Sequence, residues 1–573
     1  MLLAQRTVLL LLVLRGKVYL IADLLFFALG CTTCRRRKVK CGEERPVCRR
    51  CSSLGIGCRW DVKRGKSHAP VHIQPAQPAT TTSSAIEPAS SSNDFTLDPQ
   101  LAETAVQQIS DTRLGIWSSI PDAFKALTPL CSSLSAVDIP CSNSLVLSQQ
   151  DQKYFQFFPS SSVVSYYIKS WPWSCFSYLY QGPAVSSNVI MRMMLALSAN
   201  DMYRQGLAIR PPGRPTAEDH ARYHYGLAVK EFRQSLATRE GPISQPELEA
   251  IFATMFLMVS YEWQFGQSVD DLQLHIRGVR SLLECQPALF GSKDVEEVLM
   301  CSDSTEDGST PKVSFVPEQL LLWILYIESG CCAMGVTGSL YDYVSKSENL
   351  AIHPDRLYRS ARLWGRCYWR NRYPEQEVSD DIENYRALEL LHAGMTLRQR
   401  IWDALVNTSV DTSHQAELVS KDIKAIRESF SDLFLTAKFA GPGSTRRTLI
   451  TINLAVSTFY AQVIFHRRLL YHPGPPSAFH RTAVANIIEI AEKQYKSDPR
   501  LIRRLHWPLL MAVIETDDGS KRAWLRERLF ELRTLHSESQ WASDVADEVL
   551  ALQDASKGEF ADLATLLRLR ACV

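Results

Sequence analysis

The chain has 573 residues, of which 46% are apolar and 22% charged, and its formal net charge is +2. This length exceeds what a single hydrophobic core usually organises, so two or more structural units are expected. The composition is that of an ordinary globular protein, and it excludes a fibrous or wholly disordered chain.

The first thirty residues are unusually apolar. Val8–Leu14 and Val18–Leu29 are largely apolar runs, but Arg15, Lys17 and Asp23 interrupt any window long enough to span a membrane. A spanning helix needs about 20 consecutive apolar residues. We expect this segment to reflect a mis-assigned translation start or a retained intron. An amphipathic or partly buried segment and a genuine targeting signal stay open as alternatives.

Basic residues concentrate directly after this segment. Residues 31–66 contain twelve Lys and Arg against three Asp and Glu, a net charge of +9, so the remainder of the chain carries −7. A compact basic unit joined to a larger acidic body is expected where one part binds a polyanion. Charge alone fits nucleic acid and an anionic membrane equally well.

Six of the fifteen cysteines fall within residues 31–58, and the other nine are scattered along the chain. The pattern C-x2-C-x6-C occurs twice, and six residues separate the two copies. A structural zinc ion takes four ligands in a tetrahedron. One ion would leave two cysteines unused and two separate ions would need eight, whereas two ions that share two thiolates use all six. The spacing therefore predicts a binuclear zinc site at Cys31, Cys34, Cys41, Cys48, Cys51 and Cys58.

A module of this size cannot bury enough apolar surface to fold unaided. Metal binding should supply that free energy, on the order of 10 kcal/mol or more for each structural zinc. We therefore expect residues 31–60 to be unfolded without zinc.

The segment resembles the DNA-binding domain of the fungal binuclear zinc-cluster transcription factors. The resemblance rests on the cysteine spacing, on Pro46 between the two halves and on the basic run Arg35–Lys40. It implies that Cys31 and Cys48 bridge the two zinc ions. It also implies one ion held by Cys31, Cys34, Cys41 and Cys48 and another held by Cys31, Cys48, Cys51 and Cys58.

The same resemblance implies a nuclear, sequence-specific regulator of RNA polymerase II genes that reads CGG-type half-sites with a short helix in the major groove. By motif position, Arg37 and Lys38 should lie nearest the base edges, because Arg and Lys suit the guanine acceptors. The other contacts expected are mainly to phosphate, which fixes orientation without reading sequence. The residues expected to contact DNA are Arg35, Arg36, Arg37, Lys38, Lys40, Arg49 and Arg50.

Other interpretations of this segment stay open. The basic run, together with Lys63–Lys66, also suits a nuclear import signal. A zinc buffer would account for the cysteines but not for the basic run. A membrane-associated or secreted cysteine-rich protein would account for the apolar N-terminus, and it would hold its thiols as disulfides without zinc.

Composition divides the rest of the chain. Residues 61–153 are assigned as a disordered or transitional linker, because Ala, Pro, Ser and Thr dominate much of the segment. Residues 154–573 are assigned as an all-helical regulatory domain. No sustained heptad pattern follows the cysteines, so a coiled-coil dimer at that point is not expected. A second copy of the chain, transcription co-regulators and a small-molecule effector stay open as partners, and a membrane is not expected.

Helical signals recur throughout the predicted regulatory domain. Thr216–Asp219 forms a capping box, and Ser268–Asp271 repeats the pattern. Apolar residues then recur at steps of three and four, which is typical of a helix with one buried face. These positions are Ala221, Tyr225, Ala228, Phe232 and Leu236 in one helix, and Leu272, Ile276, Val279 and Leu283 in the next. Further helices are predicted across 318–335, 380–407, 446–470 and 480–496.

Several stretches of the same region resemble the fungal-specific transcription-factor domain. They are His275–Leu283 with the preceding Tyr261–Trp263, and His506–Asp518. The likeness is nearest to the group that contains arginine-metabolism and acriflavine-sensitivity regulators. It implies a regulatory role and identifies no ligand.

No enzyme is expected, because the chain lacks the P-loop, the H-E-x-x-H and the G-x-S-x-G motifs. His220 and His224 could share a metal, but they lack an evident third ligand and are interpreted as ordinary helix-face histidines. The pair Cys331 and Cys332 is interpreted as core packing. The aromatic runs Trp171–Trp173 and Tyr178–Tyr180 are interpreted as buried surface more readily than as a ligand box, and an inducer pocket among these helices stays open.

Overall fold

The computed structural model describes most of the C-terminal four-fifths of the chain and part of the cysteine-rich segment. The described residues are 33, 47–55, 57, 145, 147–208, 215–239, 241–287, 289–290, 316–336, 338–362, 365, 369, 372–406, 412–441, 446–470, 477–555 and 562–571. The apolar segment 1–30 and almost all of the predicted linker lie outside them.

Helices make up the regular structure of the described residues, which contain no β-strand. In the cysteine-rich segment there is one short helix, α1 (Arg49–Ser53). The first half of the large body contains α2 (Gln149–Phe157), α3 (Ser162–Ser165), α4 (Cys175–Gln181), α5 (Pro183–Ser186), α6 (Asn188–Arg204), α7 (Ala217–Ala237), α8 (Gln245–Phe265), α9 (Val269–Cys285), α10 (Val316–Cys331), α11 (Ser339–Lys346) and α12 (Pro354–Ala361).

The second half of the body continues with longer helices. They are α13 (Glu375–Val406), α14 (Thr412–Ser429), α15 (Ser431–Phe439), α16 (Arg447–Leu470), α17 (Ala478–Ser497), α18 (His506–Glu515), α19 (Gly519–Leu532), α20 (Ser537–Ala555) and α21 (Leu563–Ala571). The four helices predicted across 318–335, 380–407, 446–470 and 480–496 are confirmed as α10, α13, α16 and α17. Their ends agree with the predicted ends to within about five residues.

Local hydrogen bonds explain where several helices begin. Thr216 accepts from the backbone N–H of Asp219, whose carboxylate accepts from the backbone N–H of Thr216 in return, so the predicted capping box of α7 is confirmed. Ser268 caps α9 differently, because its side chain accepts from the N–H of Asp270. A cap of either kind satisfies an amide that the first helical turn leaves without a partner.

The predicted apolar faces of α7 and α9 are the buried faces. In α7 the four residues Ala221, Ala228, Phe232 and Leu236 are buried and Tyr225 is half-buried, while all four predicted positions of α9 are buried. Removal of such side chains from water is the main stabilising contribution to helix packing, about 25 cal/mol for each Å² of apolar surface.

Two adjoining hydrophobic cores organise the body. The first is built mainly by α6–α10, and the second mainly by α13, α16, α18 and α20. Cys331 belongs to the first core and its neighbour Cys332 to the second, and both are fully buried. Their predicted role in core packing is therefore confirmed.

Helix α16 is the most apolar long helix of the second core. By length and composition it is the one helix among the described residues that could cross a membrane, and 78% of its most apolar window is buried inside the body. Helices α13, α14, α17 and α18 pack around it. This burial is what the central helix of a helical bundle requires.

A buried histidine joins α16 to α14. The Nε2–H of His466 donates to the carbonyl oxygen of Ala416 at 3.1 Å. Burial lowers the pKa of His466 to about 4, the hydrogen bond to Ala416 opposes this shift, and nearby His480 adds to it. The folded protein therefore holds this imidazole neutral over the physiological pH range.

We predict that His466 makes part of the stability depend on pH. The unfolded residue has a pKa of about 6.5, so below that pH the unfolded chain binds a proton that the folded chain does not. This stabilising contribution is present above pH 6.5 and is lost as the pH falls towards 4. In His466→Gln the contribution is absent, so the difference in unfolding free energy between wild type and variant should shrink by about 1.4 kcal/mol between pH 7.5 and 5.5.

The measurement is urea unfolding of the full chain, followed by circular dichroism at both pH values. His414→Gln is the matched control, because it also removes one histidine but at an exposed position of α14. A difference between wild type and His466→Gln that stays constant with pH would contradict the prediction.

Candidate zinc and DNA-binding site

The structure describes two of the six predicted zinc ligands, Cys48 and Cys51. The remaining four, Cys31, Cys34, Cys41 and Cys58, lie outside the described residues, as do Arg35, Arg36, Arg37, Lys38 and Lys40. Arg49 and Arg50 both lie in α1. The side chain of Arg49 is exposed, and that of Arg50 is outside the described part of the chain.

The second C-x2-C pair lies at the start of α1. Cys48 occupies the N-cap position, and its sulfur accepts a hydrogen bond from the backbone N–H of Cys51 at 3.3 Å. Both cysteines are fully buried, although the large apolar side chains of Val47 and Leu54 beside them are exposed. An amide that points at sulfur favours the thiolate over the thiol, and the thiolate is the form that binds a metal.

A tight turn follows α1. The backbone N–H of Gly55 donates to the carbonyl oxygen of Ser52 at 3.2 Å, and Gly55 has φ +60°. This left-handed conformation ends the helix at little cost because glycine has no side chain beyond its α-hydrogens. The chain can then turn back directly after the second cysteine pair.

One hydrogen bond links the two halves of the cysteine-rich segment. The hydroxyl group of Thr33 donates to the carbonyl oxygen of Gly57 at 2.8 Å. In the sequence Thr33 lies between Cys31 and Cys34, and Gly57 directly precedes Cys58. The bond therefore brings together two residues that are 24 positions apart in the sequence, one from each half of the segment.

The donor set fits zinc. Thiolate sulfur is a preferred zinc ligand, and two cysteines separated by two residues can face one ion from a single turn. Cys48 and Cys51 meet this requirement, since both are buried and the sulfur of Cys48 already accepts an amide hydrogen bond. Elsewhere in the described part of the chain, no group of three or more Cys, His, Asp or Glu side chains is arranged to hold a metal.

Two family models match the chain. Residues 29–67 match the fungal Zn(2)-Cys(6) binuclear cluster domain. Residues 174–340 and 334–558 match the fungal specific transcription factor domain, which together is more than half of the chain. The protein belongs to the fungal-specific transcription factor family. The resemblance stated from the sequence is confirmed for both parts.

Three curated relatives match this family member over short stretches of 29 to 51 residues. The aspercryptin biosynthesis cluster-specific transcription regulator atnN of Emericella nidulans is 69% identical over 29 residues, which is 5% of each chain. Transcription factor FUP7 of Fusarium proliferatum is 55% identical over 38 residues, 6% of this chain and 16% of the relative. Sterol uptake control protein 2 of Saccharomyces cerevisiae is 35% identical over 51 residues, 9% of this chain and 5% of the relative. The matches thus span less than a fifth of each relative's length, and no solved structure matches the chain.

In the fungal-specific transcription factor domain, His220 and His224 each bind a side chain of α2. The Nδ1 atom of His220 lies 3.1 Å from the hydroxyl oxygen of Tyr154, and the Nε2 atom of His224 lies 2.9 Å from Asp151. Burial lowers the pKa of His224, and the adjacent carboxylate of Asp151 opposes this shift. These contacts tie α7 to α2, as expected of helix-face histidines.

The aromatic runs singled out in the sequence pack against the first core of the domain. Trp171–Trp173 forms a short 3-10 helix, and Trp171, Tyr178 and Tyr180 are buried or half-buried in that core. Neither run lines the cavity that lies between the two cores. The side chains that line this cavity include Arg398, Arg504 and Trp507, which the sequence analysis did not single out.

We predict that Gly55→Ala weakens zinc retention. Any L-residue at φ +60° is strained by about 1–2 kcal/mol. Because folding of so small a module is coupled to metal binding, this strain should appear as roughly tenfold weaker zinc affinity. The measurement is competition for zinc between the full chain and a chromogenic chelator.

Gly57→Ala is the matched control. It makes the same chemical change two residues later, where φ is not positive and where an added Cβ would meet no atom within 4 Å. If the two variants bound zinc equally well, the left-handed turn at Gly55 would make no contribution to zinc affinity.

Proposed function

We propose that this protein is a zinc-dependent, sequence-specific DNA-binding regulator of RNA polymerase II transcription that acts in the nucleus. The observation that carries the proposal is the match of residues 29–67 to the Zn(2)-Cys(6) cluster domain, together with a regulatory domain of the same family further along the chain. Its activity is binding rather than catalysis. On this proposal residues 31–60 bind DNA, residues 61–153 are a linker and residues 154–573 form the regulatory domain.

Two zinc ions per chain hold the DNA-binding module together. The ligands are Cys31, Cys34, Cys41, Cys48, Cys51 and Cys58, with Cys31 and Cys48 shared between the ions. The zinc ions supply structure, because the module is too small to be stabilised by a hydrophobic core. The buried sulfurs of Cys48 and Cys51 and the bond between Thr33 and Gly57 support this arrangement.

The DNA contacts fall into two classes. Arg37 and Lys38 reach base edges of a CGG-type half-site, whose guanines offer the acceptors O6 and N7. Arg35, Lys40, Arg49 and Arg50 contact phosphates and set the orientation of the module, and Arg36 lies in the same basic run. The net charge of +9 on residues 31–66 and the exposed side chain of Arg49 support this assignment.

We predict two zinc ions per chain. Metal analysis of the purified full-length protein should give this ratio, and Cys48→Ser should lower it towards zero because the shared thiolate serves both ions. Cys285→Ser, at an exposed thiol in the regulatory domain, is the matched control and should keep both ions. A wild-type protein without zinc, with these thiols paired as disulfides, would instead favour a secreted or membrane-associated cysteine-rich protein.

We also predict that Lys38→Ala loses base discrimination. Its preference for a CGG half-site over a singly substituted one should fall by about 1–3 kcal/mol. The measurement is fluorescence anisotropy of the full chain with both duplexes at fixed salt, since affinities for DNA depend strongly on salt.

Lys40→Ala provides the matched comparison for a phosphate contact. It should weaken binding to both duplexes equally and reduce the salt dependence of log K by about one unit. If Lys38→Ala behaved like Lys40→Ala, the base-reading role of Lys38 would be wrong.

A further inference from the structure

The helical body contains a partly open cavity between its two hydrophobic cores. The cavity measures about 280 Å³. Tyr167, Phe176 and Trp323 line it from the first core, and Leu454 and Trp507 line it from the second. Ligand pockets usually measure about 300–1,000 Å³, so this cavity suits a small molecule, and its aromatic and aliphatic walls suit an apolar one.

Arg398 is a buried cation in the wall of this cavity. It is only 3% exposed, and its guanidinium carbon lies 3.6 Å from the ring centroid of Trp507. One of its terminal nitrogens donates to the carbonyl oxygen of Gly330, whereas its buried Nε–H has no partner among the described residues. The side chain thus offers a hydrogen-bond donor that the protein itself leaves unused.

Arg504 is a second cation in the cavity wall, and it is half-buried. Its guanidinium lies over the ring of Tyr166, at 5.0 Å from the centroid, and its buried Nε–H also has no partner among the described residues. Burial lowers the pKa of Arg504, and the neighbours that most affect it are Tyr166, Tyr167 and Arg447, none of them a carboxylate. No ion pair involving Arg398 or Arg504 occurs within the described ranges.

The remaining charges around the cavity are largely balanced within the protein. Lys169 lies 2.6 Å from a carboxylate oxygen of Asp381, and Arg447 pairs with the carboxylates of Asp380 and Asp381. The carboxylate of Glu538 receives a hydrogen bond from Trp263 at 2.7 Å and pairs with His506 at 2.9 Å.

Three further groups in the wall bear on the choice of ligand. Arg362 is exposed and lies over the ring of Tyr385. The buried indole N–H of Trp507 and the buried amide oxygen of Gln319 have no partner in the described part of the chain. The unused donors of the wall are thus the indole N–H and the Nε–H groups of the two arginines, and the unused acceptor is the amide oxygen of Gln319. Because donors outnumber acceptors, the wall suits a ligand rich in acceptor oxygens.

We propose that this cavity binds a small organic acid, with its carboxylate at Arg398 and Arg504 and its apolar body against the aromatic walls. The two oxygens of a carboxylate can accept two parallel hydrogen bonds from the planar guanidinium group, and the opposite charges neutralise each other. The charge of Arg398 already acts on Glu538, but Arg504 has no carboxylate within ion-pair distance in the described ranges. A neutral ligand of the same shape would leave Arg504 without such a partner and would accept weaker hydrogen bonds from both arginines. Because the site joins the two cores, its occupant stabilises their packing by mass action.

The experiment uses the zinc-loaded full chain and requires no DNA, so its outcome is independent of the proposed DNA-binding function. The probes are benzoate, 2-naphthoate and decanoate, each compared with its own primary amide by isothermal titration calorimetry. The best carboxylate should bind at least about tenfold more tightly than its amide, because hydrogen bonds to a charged acceptor are about twice as strong as neutral ones. Preference for naphthoate or for decanoate would distinguish an aromatic from an aliphatic ligand.

Two variants and one control locate the binding site. Arg504→Met should abolish the preference for the carboxylate, and Leu454→Phe should exclude both members of a pair by filling the cavity. Arg526→Met removes an arginine that pairs with Asp547 on the surface, and it should bind like the wild type. The proposal would be overturned if no carboxylate bound the wild type more tightly than its amide, or if Leu454→Phe, folded by circular dichroism, kept the preference.

Discussion

The arrangement of the fungal-specific transcription factor domain depends on the polar contacts of one buried carboxylate, that of Glu538. It lies at the N-terminal end of α20, accepts the indole N–H of Trp263 from the first core and pairs with His506 from the second. Burial alone would raise its pKa, but the charge and hydrogen bond of His506, with Arg398 and Trp263, hold the pKa of Glu538 at about 2. A buried carboxylate is tolerated only with such compensation. Helices α8, α18 and α20 can therefore pack together only where Trp263 and His506 both reach Glu538.

The cavity lies beside this junction, because Glu538, Trp263 and His506 all line it. Tyr166 packs edge-on against Trp263, and Arg504 lies over Tyr166. The polar groups left over at this junction are mainly donors, since the carboxylates nearby already have partners of their own.

The two parts of the protein reach stability by different means. In the fungal-specific transcription factor domain, amphipathic helices such as α7 and α9 bury continuous apolar faces, and α16 is a central helix that is buried on most sides. In the cysteine-rich segment, Val47 and Leu54 are exposed while Cys48 and Cys51 are buried. The cysteine side chains, and not these larger apolar ones, are therefore the buried residues here. Short modules of this kind gain their folding free energy from metal ligands rather than from buried area.

What the sequence by itself determined was local or depended on spacing. Thr216 and Asp219 specify the start of α7 because a capping box involves only neighbouring residues, and the cysteine spacing predicts the zinc site because two tetrahedral ions need shared thiolates. Only the tertiary structure decided which charged side chains keep an unused hydrogen-bond donor. Arg398 and Arg504 look like ordinary surface residues in sequence, but α10, α13 and α18 bring distant segments together around one cavity, and both side chains then line it with an Nε–H that has no partner among the described residues. Burial, and not residue type, turns these two side chains into a candidate site.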